Sequence, residues 1–581
     1  MFGGGARADS PVIEALMDAI DATGAGDFSA TGTGNGDVFV DISKTRASFF
    51  ANNYVVVDAR ITYDLGLLLN PDCPPYLQIL QSDAAKSTSG ARVRRSAENR
   101  VSTQRVAIAQ PQLRYYMLQI RRNSPGESTA GPCALIQSIP WTLKVRLFAS
   151  APASTGFGFT TMHLPDGGDG EPSIAVDRWN GDTVYVSAPV GGPAVAGGNP
   201  AGVDFWRSLD AGGNFTHSQP SFSLNAIGGF DSHLAVARNG DVWQADLGAA
   251  AIYVGVSHDK GATWTGTTPP GVDADREWLA TYTSPGASAP SKVVVSYHDI
   301  NVDNLPYECL ILSNGVGQPV CNPMITDPTA LANAFGNTFI GNQVFGSDGV
   351  VYAIVASPGA PTGGAPAATR NIYLAKSADA VIFTNKLIYS APLGNDVAAL
   401  FPVIAIDDAG NLYAVWSERV APYGPSSVKL STSTDHGNTW SAPRTVSTNT
   451  SSAVLPWAVA GASGKVDIVY AGSSNPSTND PTADWYMYMA SIRSATGAPV
   501  TTLGRISPQP IRYGSICLSG LGCTTGGDDG RILLDFTMVD RDSNGLAHVS
   551  YANSGPEGPT DDPRRTYTDY ARQTSGGSLA H

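Results

Sequence analysis

The sequence predicts an all-β protein, in which an N-terminal β-sandwich precedes a β-propeller of seven blades, with six as the alternative. Three observations carry that expectation. An eight-residue turn pattern recurs three times, and pairs of short apolar strands recur from residue 174 to residue 549. The composition, with 63 Gly, 40 Pro and a 15% charged fraction in 581 residues, supplies many tight turns and little material for long charged helices. That length exceeds one ordinary domain and suits a repeat array with an additional domain.

Charge and cysteine usage narrow the function classes. A formal net charge of −14 excludes general nucleic-acid binding, which needs a basic surface to neutralise phosphates. No apolar run approaches the roughly 20 residues that cross a bilayer, so no membrane span is expected. Residues 1–26 lack the basic-then-apolar order of a signal peptide. The six cysteines show neither a CxxC pair nor a His-assisted metal spacing, and the sequence predicts disulfides Cys73–Cys133, Cys309–Cys321 and Cys517–Cys523. Disulfides imply an oxidising compartment.

Along the chain, residues 1–26 form a leading segment with a short amphipathic helix over 11–22, because Val12, Ile13, Leu16, Met17 and Ile20 fall at helical spacing. Residues 27–149 carry β-type runs at 37–42, 54–57, 115–120 and 141–147 separated by turn-rich stretches, which predicts the sandwich, with Cys73 and Cys133 stapling two loops. Within it, Arg92, Arg94, Arg95, Arg100 and Arg105 make a basic island in an acidic protein. It reads as a solvated loop or as a contact for an acidic polysaccharide. Residues 150–170 read as a linker and 171–581 as the propeller.

In that second region an apolar strand is followed by a turn and a return strand rich in Tyr and Val. The first strands contain Ile174, Leu234, Trp278, Phe339 or Val344, Val403, Trp457 and Leu534; their returns contain Val184, Val242, Val293, Val351, Leu412, Val466 and Ala547. Each unit has the content of a four-stranded blade. A blade cannot bury both faces alone, so the units must stack radially, and the count gives seven.

The recurring turn is Ser433-Thr434-Asp435-His436-Gly437-Asn438-Thr439-Trp440. Ser257-His258-Asp259-Lys260-Gly261-Ala262-Thr263-Trp264 repeats its fixed positions, and Ser208 to Phe215 repeats all but the threonine and places Phe where the others have Trp. Ser377-Ala378-Asp379 is a remnant without the glycine. Ser and Asp hydrogen-bond nearby backbone, Gly takes a conformation costly for other residues, and the aromatic folds back as a plug. These residues resemble the Asp-box (BNR) repeat of sialidases and other secreted β-propeller proteins. The resemblance covers residues 165–581 and implies a propeller with Asp-box turns, a secreted or cell-surface location and a carbohydrate partner, polysaccharide or glycoconjugate.

Ligands of such rings sit where the innermost strands begin. There the sequence places Glu171, Asp231, His233, Asp275, Arg276, Glu277, Asn337, Trp457, Asp528, Asp529, Arg531 and Asp535. Converging carboxylates permit glycosidic cleavage by a raised-pKa acid with an ionised partner, with Glu171, Asp231, Asp275 and Glu277 as candidate acids. No cofactor is required, although the same oxygens permit Ca2+. Arg276 and Arg531 are candidate binders of a sugar carboxylate, assisted by His233 and Asp535, and Trp457 is a candidate stacking surface. The alternative is that acids and arginines pair with one another and seal the channel. His298 is a candidate base for a lyase, and residues 540–545 imitate the start of a calcium loop but read as a hairpin turn.

Sialidases carry Arg-Ile-Pro at the first inner strand, whereas this chain has Glu171-Pro172-Ser173-Ile174. The resemblance therefore implies the fold without implying sialidase activity. The functional expectation is a glycoside hydrolase or lyase acting on an acidic glycan at the channel mouth, the alternative a non-catalytic glycan-binding or surface-interaction propeller.

Overall fold

In the computed structural model the described residues are nine strands within residues 12–150, together with residues 156–580 apart from 166–169, 190–202, 221–227, 249–251, 268–273, 300–304, 312–319, 327–337, 359–368, 398–399, 421–422, 481–482, 519–532 and 555–565. Among them all regular structure is strand. Seven sheets of four core strands follow one another as blades. The innermost strands are Ser173–Asp177, Gly228–Val236, Ala274–Tyr282, Phe339–Phe345, Val403–Ile406, Ser452–Ala460 and Met538–Arg541. Each touches the next and the last touches the first, which closes a seven-bladed ring.

Closure uses both ends of the propeller sequence. The seventh blade takes Met538–Arg541, Ala547–Asn553 and Tyr567–Ser575 from the C-terminal end, and its outermost strand is Gly158–His163. That strand lies inside the stretch read as a linker. It pairs antiparallel with Tyr567–Ser575, placing His163 opposite Asp569, whose carboxylate accepts a hydrogen bond from His163 Nδ1. The seventh inner strand starts at Met538, just beyond the Leu534 to Phe536 segment expected from the sequence.

Strand alternation puts the recurring turns on the face opposite the starts of the inner strands. The turns join the third strand to the fourth in the first, second, fourth and fifth blades. In the turn at 257–264, Ser257 Oγ donates to Asp259 Oδ1 at 2.8 Å and accepts the Gly261 N–H at 2.8 Å, while Asp259 also accepts the Ala262 and Thr263 N–H groups. The residue before the glycine is left-handed as well: Ala211, Lys260 and His436 have φ of 55°, 58° and 57°. The remnant at Ser377 keeps this geometry without glycine, because Ala380 takes φ 61° and Asp379 Oδ1 accepts from Val381 and Ile382 N–H at 2.9 Å.

These turns also clip neighbouring blades. Arg207 of the first blade donates to Lys260 O of the second at 3.0 Å, and Lys376 of the fourth to His436 O of the fifth at 3.1 Å. Arg572 of the seventh donates to Ala211 O of the first at 2.8 Å, and Lys292 of the third to Ala378 O of the fourth at 2.6 Å. The terminal aromatics follow the same direction: Phe215 meets Tyr570 of the seventh blade edge-on, and Trp264 meets Phe205 of the first.

Upstream, two sheets have the orders Val12–Ile13, Gly36–Asp41, Tyr115–Arg121, Tyr76–Ser82, Ala91–Arg95, and Ala25–Thr33, Pro140–Ser150, Tyr54–Tyr63, Thr103–Ala109. Val12 and Ile13, expected in a helix, pair in parallel with Phe39 and Val40; apolar residues there satisfy a sheet edge as well as a helix face. The basic island also differs from a loop, since Arg92, Arg94 and Arg95 lie on a strand paired with Tyr76–Ser82. Cys309–Cys321 is a disulfide, with the two residues directly opposite on adjacent strands of the third blade. Cys517 is also disulfide-bonded, and Cys73, Cys133 and Cys523 lie outside the described residues.

Gly437 has φ 82°, and a Cβ there would lie 2.2 Å from Leu374 of the fourth blade, whereas Gly181, with φ 97°, has open space. Gly437→Ala is therefore expected to lose about 2–4 kcal/mol in urea unfolding, and Gly181→Ala only the ~1–2 kcal/mol of the left-handed backbone. Asp569 raises the His163 pKa above its usual 6.5, against the opposing effect of burial. Stability from this pair is complete below that value and fades as pH rises through the raised pKa. Denaturation midpoints should fall over that interval in the wild type and stay flatter in His163→Asn.

Candidate active site at the channel mouth

The inner strands do not enter the channel in regular register. Breaks fall between Gly228 and Ser232, Asp275 and Trp278, Ile340 and Gln343, and Val454 and Trp457. A bulge of this kind re-aims side chains. Left-handed residues mark the same region: Glu171, Arg276, Leu400, Leu455 and Leu534 have φ of 51°, 52°, 68°, 53° and 60°. Three of the five are leucines, so the conformation belongs to the ring architecture, and the site uses it at Glu171 and Arg276.

The residues just after these positions fill the channel. Trp278 contacts Phe401, Trp457 and Phe536, with ring centroids 5.3, 5.2 and 5.5 Å away, and His233 lies 5.2 Å from Trp278. Over this floor sits the Arg276 guanidinium, 4.2 Å from the Trp278 centroid and 4.2 Å from that of Phe536. Its Nη1 is 3.4 Å from Asp231 and 3.7 Å from Glu171, and Nη2 donates to Ser232 O at 3.3 Å. Arg276 is 2% exposed. One cation thus ties the first, second and third blades together.

The two carboxyl groups hydrogen-bond each other. Burial, followed by the charges of Asp231 and Asp535, pushes Glu171 well above the usual carboxylate range. Burial also raises Asp231, partly opposed by Arg276. Like charges this close cannot both ionise cheaply, so the pair releases its last proton above the usual carboxylate range. Asp231 is the more open member, its side chain 12% exposed against 2% for Glu171.

The other predicted residues separate into distinct environments. Asp275, with a side chain 35% exposed, faces His298 Nε2 at 3.2 Å and is near enough to raise the Asp231 pKa. His233 accepts the Leu279 N–H at its Nδ1, so Nε2 carries the hydrogen; burial, then Arg276, keeps the ring neutral. Glu277 is fully buried with neither carboxyl oxygen hydrogen-bonded, and burial holds it well above the usual range. Its neighbours are Arg276, Asp231 and Asp246. Asp535 acts on Glu171 through its charge. Trp457 is 4% exposed and belongs to the aromatic floor, where packing against Trp278 occupies the face that would meet a sugar.

Asn337, Asp528, Asp529 and Arg531 lie outside the described residues. Among the described residues no group of three or more His, Cys, Asp or Glu is arranged to hold a metal ion. In the segment read as a hairpin turn, Asp542 Oδ1 accepts the Asn544 and Leu546 N–H groups, and Asp540 instead reaches the Val176 N–H of the first blade. Sequence reasoning missed Trp278, Phe401 and Phe536 as the floor. The signal was present as an aromatic two residues after Arg276, Leu455 and Leu534, and directly after Leu400.

No family model matches the chain, and no curated protein matches it. Among solved structures, a protein of unknown function from Dyadobacter fermentans DSM 18053 is 14% identical, covering 73% of this chain and 99% of its own, with a TM-score of 0.40. A leech intramolecular trans-sialidase is 10% identical, with coverages of 94% and 98% and a TM-score of 0.40. A polysaccharide lyase described as an ulvan lyase is 11% identical, with coverages of 70% and 95% and a TM-score of 0.45.

Removing the shared cation tests this geometry. Arg276→Leu leaves Glu171 and Asp231 buried without a counter-charge, an expected loss of about 3–5 kcal/mol near neutral pH. Both carboxyl pKa values lie above their unfolded values, so stability is retained at acid pH and lost as pH rises. Urea midpoints of the variant should therefore approach the wild type near pH ~4.5 and diverge by pH ~8.

Proposed function

We propose that the protein is a carbohydrate-active propeller, a glycoside hydrolase that cleaves at the mouth formed by the first three blades. The observation that carries this reading is a carboxyl pair, Glu171 and Asp231, held partly protonated by burial and mutual contact beside the more open Asp275–His298 pair. In the proposed reaction Asp231, backed by Glu171, presents the proton to the glycosidic oxygen, and Asp275, oriented by His298, activates water. A raised-pKa acid and an ionised base are the two groups that glycosidic cleavage requires.

We propose a neutral substrate rather than the acidic glycan expected from the sequence. Arg276 was expected to bind a sugar carboxylate, but its guanidinium is already engaged by Glu171, Asp231, Trp278 and Phe536. Among the described residues the mouth has one cation, already occupied, beside several carboxyl groups, which suits a neutral sugar at the cleavage point better than an acidic one. The same engagement favours the non-catalytic platform as the second reading. The serine–aspartate turns are proposed to be Asp boxes, the two upstream sheets a β-sandwich, and the protein secreted or at the cell surface; the turn geometry, the sheet orders and the disulfide Cys309–Cys321 support these assignments.

Neutral and uronate-containing polysaccharides, assayed for new reducing ends and for unsaturated uronate, separate hydrolase, lyase and platform. The expected result is reducing ends from a neutral glycan, with Asp231→Asn lowering kcat at least ~100-fold. Because the acid works only when protonated, activity should fall as pH rises through the raised pKa of the pair. Turnover of no substrate by the wild type contradicts the enzyme reading; unsaturated product assigns a lyase with His298 as base.

A further inference from the structure

A second cleft opens between the sixth and seventh blades, away from Arg276. Its lining includes Met162, His163, Pro508, Gln509, Asn553 and Asp569. The decisive residue is Gln509. It is 3% exposed, yet neither its Oε1 nor its Nε2 has a hydrogen-bond partner. A buried carboxamide in that state costs about 1–3 kcal/mol for each unsatisfied group, so a retained one needs an account.

The surroundings restrict what satisfies it. Asp569 accepts hydrogen bonds from His163 Nδ1 and, at 2.8 Å, from Asn553 Nδ2, so the ionisable groups at the cleft balance each other. Among the described lining residues, an entering anion or cation meets no spare counter-charge. Met162 and Pro508 add apolar surface beside the amide. A carboxamide offers an acceptor and a donor side by side, which matches two vicinal hydroxyls, one donating to Oε1 and the other accepting from Nε2.

We propose that this cleft is a second carbohydrate site, taking one neutral glycosyl unit through a vicinal hydroxyl pair held by Gln509, with His163 at its edge. The assignment is independent of catalysis at the mouth. A site there gives a glycan a hold on an outer blade as well as at the centre. Two weak contacts on one chain of sugar raise the effective concentration at each.

The test uses the full-length protein and methyl glycosides of glucose, galactose and mannose. Saturation-transfer NMR reads ligand contact, and the His163 imidazole resonance, identified with His163→Asn, reads its place. At least one glycoside is expected to shift that resonance. Gln509→Leu should weaken the effect at least tenfold without lowering the thermal midpoint, because it removes unsatisfied groups. Asp231→Asn should leave it intact. Absence of any shift with all three glycosides overturns the proposal, as does a shift that survives in Gln509→Leu. Saturation transfer that is lost in Asp231→Asn but kept in Gln509→Leu assigns the sugar to the mouth alone, and overturns the second site while leaving the hydrolase reading in place.

Discussion

The placement of one guanidinium, that of Arg276, conditions the rest of the site. It lies between the Trp278 and Phe536 rings and opposite Glu171 and Asp231, so it joins residues of the first, second, third and seventh blades at the point where their inner strands converge. A buried charge is tolerated only with close compensation. Here compensation comes from two carboxyl groups, and two carboxyl groups exceed one cation. The surplus is resolved by retaining a proton. The chemical potential of the mouth, as an acid, is thus a consequence of how the ring solves its own electrostatics.

The two faces of the propeller divide the remaining work. On the face opposite the mouth, serine–aspartate turns satisfy their own backbone and receive a Lys or Arg from the preceding blade, which fixes blade against blade by hydrogen bonds such as Arg572 to Ala211 O. The ring itself closes through the pairing of Gly158–His163 with Tyr567–Ser575. Because scaffold contacts are concentrated there and in the interblade core, the mouth can carry left-handed backbone and unsatisfied groups such as the Glu277 carboxyl. Strain and buried polarity persist where the surrounding structure over-determines them.

Much of the fold was legible because its signals are local. The Ser-x-Asp-x-Gly pattern specifies hydrogen bonds within a few residues, and the inner strands at Ile174, Leu234 and Val403 announce themselves by apolar runs. The outermost strand of the seventh blade was not legible, since 158–163 pairs with residues some four hundred positions away and its composition is that of a loop. The site was legible as a set of residue types at strand entries. Which of them pair was not. Nothing local in Asp275-Arg276-Glu277 indicates that the arginine turns towards Glu171, that Asp275 reaches His298, or that Glu277 is buried near Asp246. Those outcomes depend on the bulge between Asp275 and Trp278 and on the neighbours that closure brings in.

At neutral pH the mouth is expected to keep a protonated carboxyl group, through burial of Glu171 against Asp231. Infrared difference spectroscopy of the carboxylic-acid C=O band reads that proton directly. The expected result is a band in the wild type at neutral pH that is lost in Glu171→Gln and reduced by alkali only above the usual carboxylate range. A wild-type spectrum whose neutral-pH acid bands are all unaffected by Glu171→Gln and by Asp231→Asn would contradict it.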